Sequence, residues 1–126
     1  MPPERTLGIL LISGTYERAH YAFVLAAGAA AIGRGVVMFA TNAGCRALCR
    51  DWSVLSGSAD DGAVQARGVA GLATLREAAK ELGVRLIACD AGLKVAGVTA
   101  DALLPAVEIA GVATFLEAAT GQIVTL

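Results

Sequence analysis

Short uninterrupted apolar runs alternate along this chain with longer stretches whose apolar side chains recur every three or four positions. The first run, residues 7–12 (Leu-Gly-Ile-Leu-Leu-Ile), shows no polar alternation. It predicts a strand buried on both faces, as in a parallel sheet. Ser13-Gly14-Thr15 breaks the run. Thr15 is placed to cap a helix, Glu17 is favourable in its first turn, and the helix predicted over 16–32 stops at Gly33. Residues 35–40 return to a continuous apolar run. Strand, helix and strand in succession make a βαβ unit, which brings the two strands parallel through a right-handed crossover.

A loop at 41–44 and a short helix over 45–50 follow. From 51 to 62 the pattern dissolves into Trp52, Ser53, Ser56-Gly57-Ser58 and Asp60-Asp61-Gly62, a long irregular stretch of the kind that serves as a lid or a contact loop. Residues 63–82 predict one amphipathic helix, with Leu72, Leu75, Ala79 and Leu82 on one face and Arg76, Glu77, Lys80 and Glu81 on the other. Gly83 ends it. The apolar run 84–88 then leads directly into Cys89-Asp90-Ala91-Gly92. A helical turn or two over 91–97, a capped helix over 99–104 stopped by Pro105, a strand at 107–109, a helix over 111–120 and a strand at 122–126 complete the chain. Five strands alternating with helices predict one domain, residues 1–126. Its class is α/β: a three-layer α/β/α sandwich on a mainly parallel five-stranded sheet. The pattern does not order the strands.

Composition narrows the picture. Hydrophobic residues make up 56% of the chain and aromatics only 5%, so the core is built from Ala, Val, Leu and Ile. That is more apolar surface than a domain of 126 residues hides alone, which predicts a homo-oligomer, with a trimer the expected form. A formal net charge of −1 with no basic block argues against a nucleic-acid surface. The longest alanine-rich run, 22–33, falls short of the roughly 20 apolar residues of a membrane span. Met1-Pro2-Pro3-Glu4-Arg5 is not the basic start of a signal peptide. Three cysteines, an odd number without an export signal, predict reduced thiols and a cytoplasmic location.

Chemistry concentrates at Cys89. In α/β sheets ligands and reactive groups collect at the carboxyl ends of the strands, and a thiol beside the amides of a following helix gains thiolate character. Against this stands the ordinary role of a free cysteine, a small buried hydrophobe. Asp90 opposes a neighbouring thiolate, and Lys94 supplies a compensating charge. Cys45 and Cys49 are four apart and share a helix face. A metal site would need two further ligands from Cys89 and His20, and no paired spacing exists, so neither metal nor cofactor is expected. Packing is the expected role of Cys49 and the stronger one for Cys45, whose alternative is a second exposed thiol. His20 is a candidate proton shuttle, weighed against a local hydrogen-bonding role. Ser13-Gly14-Thr15 matches neither phosphate-loop spacing and is expected to be a turn and cap. Trp52 either anchors its loop or meets a partner.

The segments Gly35-Val36-Val37-Met38-Phe39, Thr41-x-x-Gly44, 79–89 (Ala-Lys-Glu-Leu-Gly-Val-Arg-Leu-Ile-Ala-Cys), Gly97-Val98 and 107–116 (Val-Glu-Ile-Ala-Gly-Val-Ala-Thr-Phe-Leu) resemble the DsrE/DsrF-like family over nearly the whole chain, in order. The resemblance implies a flavodoxin-related α/β architecture, oligomeric assembly and cytoplasmic sulfur handling. It places the acceptor cysteine at Cys89; His20, Cys45 and Lys94 stand as auxiliary candidates on their sequence positions alone. The implied activity is that of a sulfurtransferase or sulfur carrier, which takes sulfane sulfur as a persulfide and passes it to a TusA-like or rhodanese-like carrier protein. The alternative is a non-catalytic subunit of such an oligomer in which Cys89 is structural. A thiol peroxidase is disfavoured because Leu86 stands where its T-x-x-C motif needs threonine. A flavin protein is disfavoured by the first-strand loop.

Overall fold

The apolar runs become the strands of one sheet. In the computed structural model, which describes residues 5–126, these are β1 (Leu7–Leu11), β2 (Val36–Ala40), β3 (Arg85–Cys89), β4 (Glu108–Ala110) and β5 (Ile123–Thr125). Their order is β4-β3-β2-β1-β5, and every pairing is parallel. The helices are α1 (Tyr16–Ala31), α2 (Asp60–Ala66), α3 (Leu72–Glu81), α4 (Asp90–Ala96) and α5 (Val112–Ala118). Shorter 3-10 turns lie at Asn42–Leu48, Trp52–Val54 and Ala100–Ala102. Residues 1–4, on which part of the signal-peptide argument rests, lie outside the described residues.

Register divides the sheet into two faces. Leu7, Ile9, Leu11, Val36, Met38, Ala40, Leu86 and Ala88 pack with Ala19, Ala22, Phe23 and Ala26 of α1 and with Leu72 and Ala79 of α3. The alternate residues Val37, Phe39, Ile87 and Cys89 pack with Phe115 and Ala119 on the opposite face. The inner strands β1, β2 and β3 are therefore buried on both sides apart from Arg85, as their apolar runs require, whereas the edge strands β4 and β5 are largely exposed. Phe23, Phe39 and Phe115 are the largest fully buried side chains. Each contributes about 1.5–3 kcal/mol by leaving water. The cover is unequal, because the second face carries one helix of seven residues.

Several expectations about the helices need correction. The helix predicted over 63–82 is two helices. Gly68 adopts φ +83, a left-handed conformation that an L residue with a side chain rarely takes, and the chain restarts at Leu72. Leu82 is 46% exposed and lies off the buried face. Arg76, expected on the solvent face, turns inward and donates to the carbonyls of Ala47, Cys49 and Arg50. Those bonds occupy orphan carbonyls at the end of the 3-10 helix Asn42–Leu48, which replaces the short helix expected over 45–50.

The stretch 51–62 is fastened down. Tyr16 N donates to Ser56 O and Ser56 N to Gly14 O, and the Trp52 ring lies 6.1 Å from that of Tyr16. Trp52 therefore anchors its own loop. Thr99 does not cap an amide; its hydroxyl donates to Asp101, and only a 3-10 turn forms. Among the described residues no helix is long and apolar enough to cross a membrane.

Candidate functional site

Strand β3 ends at Cys89, and α4 begins with the next residue. The Gly92 amide donates to Cys89 Sγ at 3.3 Å, so the thiol caps the helix by taking one of its orphan N–H groups. The glycine is needed for close approach. A Cβ at Gly92 would stand 2.4 Å from Thr41 Oγ1 and 2.5 Å from Asn42 N. Asn42 is, among the described residues, the one non-glycine with positive φ, at 52°. The site thus forms where the ends of β2 and β3 meet, on a turn held in a sparsely populated conformation.

Asp90 and Lys94 have exposed side chains that face each other at 3.8 Å. The carboxylate feared as a neighbour of the sulfur is therefore solvated and offset by the expected lysine. Cys89 is the most accessible of the three cysteines, yet only 9% exposed. It packs in the cluster of Ile87, Phe39 and Phe115, where Phe39 and Phe115 stack with ring centroids 5.0 Å apart. The strand-end position is as expected; the sulfur is much less open than relay chemistry at a rim would suggest.

Cys45 is fully buried and belongs to the cluster on the opposite face of the sheet. Its thiol donates to Ala40 O at 3.5 Å. Burial pushes it up to about 11, with the nearby Cys89 and Cys49 adding to the rise. Cys49 donates to Cys45 O, and burial raises its thiol against the opposing pull of Arg76 and Arg46. Both are packed in the core, and all three cysteines are free. His20 is turned elsewhere: its Nε2 lies 2.8 Å from Ala70 O, and its ring is 5.4 Å from that of Tyr16. Neither contact leads to Cys89. Of the proposed auxiliaries, Lys94 lies on α4, the helix that Cys89 caps, and Cys45 lies near Cys89 but packs on the other face of the sheet.

Two polar arrangements escaped the sequence. Asp61 is buried and accepts from Tyr16 Oη at 2.5 Å, Gln65 Nε2 at 2.7 Å and Leu72 N at 2.8 Å, so it clamps α1, α2 and the start of α3 together. The run Asp60-Asp61 ahead of the Gly68 and Gly71 breaks was its only trace. Arg76, discussed above, left no trace in an otherwise amphipathic pattern. Cys89 lines none of three surface cavities: one of about 560 Å³ beside Tyr16, His20 and Tyr21, a shallow one of about 450 Å³ along Ala73, Glu77 and Glu81, and one of about 320 Å³ beside Arg76. Among the described residues no three His, Cys, Asp or Glu side chains converge as metal ligands.

Comparison with known proteins places this geometry in context. A protein of unknown function, MTH1491 from Methanobacterium thermoautotrophicum, has a similar structure, with a TM-score of 0.64 at 19% identity over 97% of this chain and 99% of that one. The ychN protein from E. coli gives a TM-score of 0.71 at 16% identity, also over 97% of this chain and 99% of that one. At such identities the likeness shows a shared fold. No curated protein matches the chain in sequence. The model of the DsrE/DsrF/DrsH-like family matches residues 3–59 and 53–126, nearly the full length, and the chain belongs to that family.

Proposed function

We propose that this protein is a sulfurtransferase or sulfur carrier whose acceptor is Cys89. The observation that carries the reading is the position of that sulfur, at the carboxyl end of a central strand with the Gly92 amide aimed at it. The Cys89 thiolate attacks the outer sulfur of a donor persulfide. A new S–S bond forms, the donor's S–S bond breaks, and the donor leaves as a thiolate. A recipient thiolate then takes the same outer sulfur and restores Cys89, with no net oxidation in either step. The Gly92 N–H stands where negative charge gathers on the Cys89 sulfur.

Access is the demanding part. With Cys89 at 9% exposure, the donor must reach it past a single short helix, α5. Val112 and Leu116 of that helix are 55% and 56% exposed and lie one turn apart. They support self-association, or docking of a TusA-like or rhodanese-like carrier, on this side of the sheet. A homotrimer is the expected assembly, measurable by light scattering. Near-burial of Cys89 equally favours the rival role of a non-catalytic subunit in which the thiol only caps α4. The deciding experiment is sulfur transfer from a persulfide-loaded donor to a carrier-protein thiol. Full transfer with Cys45→Ser and Cys49→Ser, and none with Cys89→Ser, is expected; transfer that survives Cys89→Ser would place the acceptor elsewhere, and no transfer by the wild type would favour the rival.

A further inference from the structure

The cavity of about 320 Å³ between α3 and the chain at residues 104–106 has an unusual lining. Its apolar part is Leu86, Leu104 and Pro105, and its polar part is Arg76, Lys80 and Glu77. The volume equals on the order of ten water molecules at about 30 Å³ each, the low end for small-molecule sites.

Arg76 is the instructive member. Its guanidinium uses Nη1 for Ala47 O and Cys49 O, at 3.2 and 2.6 Å, and Nη2 for Arg50 O at 3.4 Å. None of those carbonyls belongs to the cavity lining, so the bonded side of the group points away from it. Nε makes no such bond. The edge formed by Nε and the remaining Nη2 hydrogen is the one that takes a carboxylate in paired, parallel hydrogen bonds. Among the described residues no carboxylate is within ion-pair distance of Arg76 or of Lys80, one helical turn further along α3. Two cations without carboxylate partners therefore border an apolar hollow, with Glu77 as the single opposing charge.

We infer that this cavity binds a small organic carboxylate with an apolar tail. The carboxylate bridges the free edge of Arg76 and the Lys80 ammonium, and the tail lies against Leu86, Leu104 and Pro105. Charge complementarity selects the anion, and the small volume limits the tail to a short chain.

The probe is hexanoate, titrated into the full chain and followed by ligand-observed NMR, with hexanamide as the uncharged analogue of nearly the same shape. Hexanoate is expected to bind with a dissociation constant on the order of 1 mM, as suits so small a ligand. Hexanamide should bind about tenfold more weakly, the loss of the charge-assisted pair. Glu77→Gln should tighten hexanoate several-fold, Lys80→Gln should weaken it several-fold, and Ala73→Phe, on the exposed side of α3, should fill the hollow and abolish binding. Circular dichroism checks the fold of each variant. Should Ala73→Phe fail to fold, the two surface variants and the amide still decide. Absence of hexanoate binding, equal binding of the amide, or indifference to Glu77→Gln and Lys80→Gln would overturn the assignment.

Discussion

Replacing Asp61 with alanine removes the acceptor of three hydrogen bonds at once. One donor, Gln65 Nε2, sits on an exposed residue and can turn to water, so its loss counts for little. The other two, the Tyr16 hydroxyl and the Leu72 amide, belong to residues 2% and 0% exposed and are left without an acceptor. Each orphaned buried donor costs about 1–3 kcal/mol. The expected destabilisation is therefore about 2–6 kcal/mol, a large share of the roughly 5–15 kcal/mol that holds a domain folded. Urea denaturation followed by fluorescence of Trp52, which packs on Tyr16, measures it. Tyr16→Phe alone should cost less, and the double variant should cost clearly less than the sum, because both changes cut the same bond.

The pH dependence has a definite sign. Burial by itself raises the Asp61 carboxyl, but the hydrogen bonds from Tyr16, Leu72 N and Gln65, with His20 nearby, outweigh it and hold the group below the ordinary carboxylate value. A depressed folded value means the charged form stabilises the fold. Its contribution is complete above the unfolded value of about 3.9 and is lost as pH falls through the lower folded value. The gap between wild type and Asp61→Ala should stay constant near neutrality and narrow only below about pH 4. A variant within about 0.5 kcal/mol of wild type, or a gap that widens in acid, would refute the clamp.

Two further perturbations test the site itself. Gly92→Ala drives a methyl group against Thr41 Oγ1 and Asn42 N; it should cost about 1–3 kcal/mol and, by displacing the amide from Cys89, speed alkylation of that thiol by iodoacetamide. Unchanged stability and labelling would contradict the close approach. Phe115→Ala removes a fully buried ring stacked on Phe39; a loss of about 3–5 kcal/mol is expected in urea denaturation, with faster labelling of Cys89, and a loss under about 1 kcal/mol would mean that α5 is not the cover of that face.

The strands were legible because parallel strands sandwiched by helices are apolar nearly throughout, as residues 7–12, 35–40 and 84–88 are apart from the exposed Arg85 at the start of β3. The position of Cys89 followed from the same logic, since a chain leaving such a run has to leave at the sheet's edge. Its low exposure was not legible: the residues that cover it, Phe39 and Phe115, come from a different strand and from α5, and no local pattern encodes their meeting. The split of the expected 63–82 helix was marked by Gly68 and Gly71, but the leucine period beyond them masked the signal. Asp61 and Arg76 were misjudged for one reason. A charged residue on a helix is solvated by default, and what draws these two inward are partners remote in sequence, Tyr16 for one and the carbonyls of Ala47 and Cys49 for the other.

The central claim is that one particular sulfur receives another. Brief exposure of the folded chain to polysulfide, followed by alkylation, digestion and mass spectrometry, reports which cysteine-containing peptide gains about 32 Da, the mass of one sulfur in a persulfide. The account predicts the gain on the peptide holding Cys89 and none on the buried Cys45 and Cys49. A gain on Cys45 or Cys49 with Cys89 untouched would contradict it.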